Sequence, residues 1–443
     1  MRNSTVTPAS ALERGITRRT LLNGAIGAGS LVCTAASALA APLLAPAAST
    51  ACSRAVRSNA WLEIDAEAFL SNITAYRQLV GPGQATCVVV KGDAYGNGLA
   101  LLMPAILSAG LDFLGIASNE EAGVARDSGF AGRLMRLRLA TPNEIEDGMA
   151  LGVEELVGSL AGARVAGHIA ARCGKALPVH LALNSGGMSR EGVELDSRGR
   201  EEALAIARLP GLKLRGLMTH FPVNRMDDVG NGIRRFRSDT EWFAATSGMR
   251  PHALERHCAN SFAALNVPES RFDFVRVGRC LYGYGGDFPQ FRYLASLKSR
   301  IASINRYPAG ATVSYERTFT LDREAMLANI PIGASDGFRP AFSHGNGAAP
   351  AGAASAHVVV RGFRAPIVGR VTMNTIMVDV TEFYEKIETG DIVTVFSPDA
   401  PDGNRQSDFL EMAHTNPPDL MTMFGNSLPK ILRQSDCARE KRS

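Results

Sequence analysis

Val88-Val89-Val90-Lys91-Gly92-Asp93-Ala94-Tyr95-Gly96-Asn97-Gly98 sets three β-branched residues directly before a lysine and a glycine-punctuated turn. Such a run reads as a buried strand, and its terminal polar residue falls where strand meets loop. Short apolar runs recur along the chain at 86–90, 113–117, 134–139, 155–157, 179–183, 212–218, 255–258 and 274–277. The segments between them are long enough for crossover helices. Eight strands alternating with helices over about 200–250 residues are the pattern of a parallel (β/α)8 TIM barrel in an α/β protein. Polar residues collect at the C-terminal ends of the runs: Lys91, Ser118, Asn184, Thr219-His220, Asn260-Ser261 and, within the last run, Arg276. In such barrels that end carries the chemistry. An ordinary turn explains Ser118, but hardly Lys91 and Arg276 in apolar surroundings.

Beyond about residue 295 the helical period fades. Segments 300–305, 312–321, 326–332, 358–380 and 391–396 alternate or run as strands between Pro and Gly turns, predicting a second, mainly β-strand domain. The boundaries read as an export signal and linker over 1–51, the barrel over 58–295 and the β domain over 296–432. A first strand at 58–66 is placed to pair with the β domain. Residues 343–356 (SHGNGAAPAGAASA) read as a flexible surface insertion.

Hydrophobic residues make up 46% and charged residues 20% of the 443, which excludes a disordered chain. With 47 basic against 43 acidic side chains there is no basic excess to point to nucleic acid. Arg2, Arg14, Arg18 and Arg19, against Glu13 alone, precede a charge-free stretch rich in Ala, Gly and Leu that ends near Ala38-Leu39-Ala40. This is the layout of a cleaved export signal, with cleavage after Ala40. The pair Arg18-Arg19 resembles a twin-arginine signal, which predicts a periplasmic protein without a stable membrane anchor. An uncleaved anchor is the competing reading, but Ala and Gly are weakly apolar for a span. No CxxC pair or Cys/His cluster suggests a metal site. Cys87, Cys258 and Cys280 lie in apolar runs and read as buried thiols.

A lysine at a buried strand end loses hydration, which lowers its pKa and frees the amine to form a Schiff base with an aldehyde cofactor. From Lys91 alone, a side chain snorkelling to the surface is an equal reading. The motif around it changes the balance. VKGDAYGNG is similar to VKADAYGHG, the pyridoxal-phosphate lysine motif of the alanine racemase family. Further matches follow in the family's order: Asn59–Asp65 as its opening strand, Met218-Thr219-His220-Phe221, His257-Cys258-Ala259-Asn260-Ser261, Arg276-Val277-Gly278-Arg279-Cys280-Leu281-Tyr282-Gly283, Val313-Ser314-Tyr315 and Gly369-Arg370-Val371-Thr372-Met373-Asn374. The resemblance spans about residues 58–432.

That resemblance implies an enzyme, an isomerase that uses pyridoxal 5'-phosphate to interconvert L- and D-amino acids. Lys91 would hold the cofactor and be one base, and Tyr315 the second, on the opposite face of the substrate Cα. Arg190 would sit by cofactor and substrate and help a phenol act as a base. Arg276 would meet the pyridine nitrogen, and His220 would also lie by the cofactor. Tyr95, Ser261 and the backbone of Gly278 and Arg279 would contact the phosphate. Met373 and Asn374 would border the substrate. Without the resemblance, Tyr315 reads as a packed ring and Met373 as a core residue. In the family the tyrosine reaches the partner subunit's site, implying a homodimer with shared active sites.

The departures are Gly92 for the usual Ala, Asn97 for His, Asn374 for Asp, and no lysine in Leu181-Ala182-Leu183-Asn184 where the family often has a modified one. With the signal, the missing lysine and Asn374 resemble the exported broad-specificity amino-acid racemases, whose substrates are free amino acids. An alanine racemase restricted to small side chains and a cofactor-binding relative with little turnover are the alternatives. Asp419-Leu420-Met421-Thr422 places Met421 where the family uses a phosphate-binding tyrosine. Replacing Arg18 and Arg19 by Lys should strand the protein in the cytoplasm, as fractionation would show. Unchanged periplasmic yield would indicate a route that threads the unfolded chain.

Overall fold

The computed structural model describes residues 57–249, 253–344, 356–400 and 404–433. The segment read as an export signal, which holds Cys33, lies outside them, as do Cys52, Cys437 and most of the 343–356 insertion. Eight parallel strands form the first sheet: β2 (Thr86–Val89), β3 (Phe113–Ile116), β4 (Arg133–Leu139), β5 (Val153–Val157), β6 (Leu177–Ala182), β7 (Leu212–Met218), β8 (Glu255–His257) and β9 (Val275–Val277). Each of β2 to β7 pairs with the next in sequence, and β9 returns to pair with β2. β8 and β9 share no ladder, but single bonds stitch that seam, such as Arg276 N–H to Ala259 O at 3.0 Å. The result is a nearly closed TIM-like barrel.

Local chemistry sets the helices that cover it. Helix Asn119–Asp127 starts at Ser118, whose hydroxyl accepts from the Glu121 N–H while the Glu121 carboxylate returns to the Ser118 amide. At helix Pro142–Ala150 the Glu144 carboxylate accepts from both the amide (2.9 Å) and the hydroxyl (3.0 Å) of Thr141, with Pro142 at its first turn. Buried apolar faces of these helices pack on the outside of the strands.

The second sheet has nine strands in the order β11-β14-β17-β16-β15-β18-β10-β1-β19. They are β1 (Ala60–Ile64), β10 (Ala295–Arg300), β11 (Ser303–Tyr307), β14 (Ala325–Ile330), β15 (His357–Val360), β16 (Phe363–Val368), β17 (Ile376–Asp379), β18 (Ile392–Phe396) and β19 (Lys430–Leu432). β1 runs antiparallel to β10, with Leu62 opposite Leu297, and parallel to β19. The segment 312–321 is two short strands, β12 (Thr312–Val313) and β13 (Phe319–Thr320), separated by the 3₁₀ turn Tyr315–Arg317. Helices Gln406–Met412 and Pro417–Ser427 interrupt the strands of this domain. The second has a sequence signal that the strand pattern obscures: Asn416 caps it by accepting from the Asp419 N–H, and Pro417 opens it.

Cys87, Cys258 and Cys280 are buried free thiols, each pushed up to about 12 by burial. Cys87 joins Phe113, Met135 and Phe274 in an apolar cluster inside the barrel. A polar group runs beside it. Arg133 donates to both Glu154 and Glu255, at 2.7–2.9 Å, with its guanidinium over the Phe113 ring. Glu154 also meets His180 Nε2 at 2.9 Å. Burial works to raise the Glu154 pKa, but the bonds from His180 and Arg133 win and bring it down to about 2.

A carboxylate depressed in this way stabilises the fold above its unfolded value of 4.5, and that stability is lost as pH falls towards about 2. Glu154→Gln should therefore destabilise the protein at neutral pH by about 2–3 kcal/mol. The gap in melting temperature between variant and parent should shrink between about pH 5 and pH 3. A gap that stays constant would mean that Glu154 is not held as an anion.

Candidate active site

The C-terminal ends of the barrel strands open into a cavity of about 380 Å³. Lys91, Tyr95, Arg190, His220, Ser261, Arg276, Gly278 and Arg279 all line it. Their origins differ. Lys91 follows β2, His220 follows β7, Ser261 opens the short helix after β8, and Arg276 is the middle residue of β9. Glu191 also lines the cavity and pairs with Arg190 at 3.0 Å. It is the single acid among the lining residues, against four cationic side chains.

Arg276 is 5% exposed, and the neighbouring groups account for its guanidinium. It donates to Thr219 O at 2.9 Å, to His220 Nδ1 at 3.2 Å and to His257 Nδ1 at 2.7 Å. Because Arg276 can only donate, His257 Nδ1 must accept, which puts the His257 proton on Nε2. That nitrogen meets His180 Nδ1 at 3.0 Å, so His180 in turn donates from Nε2 to Glu154. A one-directional chain of donors thus leads from the cavity into the barrel. Burial first, then the Arg276 charge, pushes His257 well below the ordinary imidazole range and His220 down to about 3. Both rings are neutral acceptors.

Lys91 is held below the ordinary lysine range, chiefly by burial and next by the Arg190 charge. The backbone after it is unusual. Gly92, Asp93, Ala94, Tyr95 and Gly96 all have positive φ, from 55° to 81°. That makes a left-handed turn, costing about 1–2 kcal/mol for each non-glycine residue. Glu121 offsets part of this. One of its oxygens accepts from the amides of Gly92 (2.6 Å) and Asp93 (3.1 Å), the other from Ala117 (2.7 Å) and Ser118 (3.3 Å). Asn97 is buried and donates to Ala94 O and Tyr95 O, closing the turn from its other end. At Gly96 a Cβ would lie 2.3 Å from Met421 O, so no larger residue fits there.

Tyr95 stacks on Tyr282 with ring centroids 4.8 Å apart, and burial pushes its phenol up to about 12. Gly278 lies against its edge, where a Cβ would come within 2.7 Å of the Tyr95 hydroxyl oxygen. The Gly278 N–H donates to Ser261 Oγ at 3.1 Å, and the Ser261 hydroxyl also lies by the Cys280 sulfur. Tyr282 in turn donates to Val89 O at 3.0 Å, tying this wall to the strand that carries Lys91.

Three of the sequence candidates lie elsewhere. Tyr315 and Met373 are each 70% exposed on the β domain and do not line the cavity. Tyr315 sits in a tight turn flanked by positive φ at Ser314, Glu316 and Arg317, and not on a strand. Asn374 is exposed and donates to Ser335 Oγ at 2.9 Å. Met421 does not face the cavity: its side chain is fully buried in the core, and its carbonyl covers Gly96. A position in an amphipathic helix, not a phosphate contact, explains it. Glu121, Glu191, Asn97 and the His180–His257 pair were missed by sequence reasoning. Only Asn97 and His257 lay inside quoted motifs.

Comparison with known proteins agrees with this arrangement. The family model for the alanine racemase N-terminal domain matches residues 64–285, and that for the alanine racemase C-terminal domain matches residues 294–432. A broad specificity amino-acid racemase of Pseudomonas putida is 44% identical over 419 residues, 94% of this chain and 99% of that protein. The alanine racemase of Streptomyces coelicolor A3(2) superposes with a TM-score of 0.75 at 27% identity, over 86% of this chain and 99% of that one. The Bartonella henselae alanine racemase, solved with covalently bound pyridoxal phosphate, shares the fold with a TM-score of 0.71 at 22% identity, over 85% and 100% of the two chains.

The electrostatics yield a test that needs no turnover. Arg190 lowers the Lys91 pKa, so Arg190→Ala should raise it, while burial keeps it below that of a free lysine. The pH profile of Lys91 reductive methylation in cofactor-free protein, followed by peptide mass spectrometry, should shift to higher pH. An unmoved profile would show that the Arg190 charge does not reach the amine.

Proposed function

We propose, for a chain that belongs to the alanine racemase family, a pyridoxal-phosphate-dependent isomerase that interconverts the L- and D-forms of several free amino acids. One observation carries the reading. A single cavity joins a lysine held below its ordinary pKa to a guanidinium buried to 5% exposure and ringed by neutral histidines. Breadth of substrate is supported by the likeness to the Pseudomonas putida enzyme.

The residues present fit pyridoxal 5'-phosphate. Gly278 lets the backbone come against the Tyr95 hydroxyl where a Cβ would clash, Ser261 Oγ lies beside its amide, and Arg276 is a fixed cation. Lys91 would hold the cofactor through its amine. Tyr95, Ser261 and the backbone of Gly278 and Arg279 would take the phosphate. Arg276 would meet the ring nitrogen, and His220 would lie beside it. When bound, the cofactor supplies an electron sink that acidifies the substrate Cα–H. Because Arg276 can only donate, it would leave no proton on a ring nitrogen placed against it, and a ring held so would disfavour transamination. Arg190, steadied by Glu191, would face the substrate carboxylate.

Inversion at Cα needs one group on each face, the first removing a proton and the second returning one. Lys91 supplies one face. Tyr315 supplies the other in this proposal, and its exposure outside the cavity supports a homodimer in which each copy lends Tyr315, Met373 and Asn374 to the other's site. The paired arginines and the apolar stretch that follows them support export to the periplasm.

Purified protein should show the visible absorption of bound pyridoxal phosphate, and borohydride should fix the cofactor to Lys91. Lys91→Ala should abolish the band. Tyr315→Phe should keep it while racemisation falls by about 10²–10⁴-fold in a chirality assay across L-amino acids. Cofactor fixed to another lysine would refute the assignment of Lys91. Racemisation by Tyr315→Phe at the parent rate would make Tyr315 a packed ring.

A further inference from the structure

We infer that Lys430, in the C-terminal strand β19, is a positioning residue for Lys91, acting through Asp93 of the left-handed turn. The inference rests on the role proposed above for Lys91. Lys430 Nζ donates to Asp93 Oδ2 at 2.8 Å and to Gly425 O at 2.6 Å, and its side chain is 15% exposed. The other Asp93 oxygen accepts from the Leu99 N–H at 2.7 Å, at the start of the next helix. Asp93 is therefore gripped from both sides while its own φ is 55°.

Other contacts bring the same C-terminal segment onto the same turn. A Cβ on Gly96 would strike Met421 O, and one on Gly425 would lie 2.7 Å from the Gly96 Cα. The Lys430 stem packs over Gly98, where a Cβ would sit 3.0 Å from Lys430 Cδ. Glu121 holds the turn from the barrel side, and residues 421–430 hold it from the β-domain side. A left-handed turn of L-residues does not persist on local preference, so it depends on such outside grips. Lys91 enters that turn directly, so the direction of its amine depends on the turn keeping its shape.

The test uses purified holoenzyme. Lys430→Met keeps much of the stem and removes the ammonium. It should speed loss of the visible cofactor band on dilution by about three- to tenfold, a range that allows for the half-exposed Asp93. Lys430→Arg should restore the parent rate. Asp93→Asn should resemble Lys430→Met, and the double variant should be no worse than the worse single one. Amide exchange of residues 92–96 should rise in Lys430→Met with or without cofactor. Parent rates of both cofactor loss and exchange in Lys430→Met would overturn the inference, as would additive effects in the double variant. If the parent itself shows no cofactor bound at Lys91, the functional reading fails. Amide exchange then still decides whether Lys430 holds the turn.

Discussion

A guanidinium buried in a nearly closed barrel is the constraint that organises this protein. Arg276 cannot shed its charge, so every atom around it must accept a hydrogen bond or stay neutral. Two backbone carbonyls, Thr219 O and Cys258 O, and two imidazole nitrogens meet that demand. The histidines can accept because burial and the Arg276 charge together keep them unprotonated. Each ring that accepts on one nitrogen donates on the other, and His257 passes that obligation to His180, whose donor ends on Glu154. The balancing anion therefore lies deep in the barrel, away from the cavity. The open end keeps its positive field, with Glu191 as the only lining acid to weaken it.

A second constraint is local. The strand carrying Lys91 must stop abruptly for the amine to turn into the cavity, and the chain does so with a left-handed turn. Its strain is offset by partners far apart in sequence, Glu121 after β3 and the segment ending in Lys430. β19 pairs with β1 in the second sheet, Leu62 opposite Lys430, and a single helix (Ala66–Val80) separates β1 from the first barrel strand β2. That explains why a C-terminal segment can reach a turn near the start of the barrel. The two domains are thus coupled at the most strained point of the candidate site.

Much of the fold was legible. All eight barrel runs became strands, because parallel strands covered on both faces must be apolar almost throughout. Lys91 and Arg276 were conspicuous for the same reason: a charge in such a run has to be explained. Glu154 and Glu155 were not, since adjacent residues on a strand face opposite sides. One meets Arg133 and His180, and the other meets Arg136. Sequence order alone cannot show that both find their arginines on the neighbouring strand β4. The helices at 406–427 escaped because they are short and their apolar residues pack inside a domain dominated by alternation. Tyr315 was identified by motif, but its turn depends on contact with another segment. Ser314 Oγ donates to Arg370 O at 2.8 Å, and a Cβ on Gly369 would press against Val313 O.

The exposure of Tyr315 has a further electrostatic sense. Within one chain its turn faces solvent, and its neighbour Glu316 is paired with Arg370. A phenol gives up its proton more readily among cations. That condition exists in the barrel cavity, where Lys91, Arg190, Arg276 and Arg279 outnumber Glu191. In the proposed homodimer, docking brings the ring and that field together, so the second base becomes competent only on assembly. The same cations that help burial lower the Lys91 pKa would then act on both faces of the substrate. An isolated subunit would retain the cofactor site but lack the means to invert a carbon.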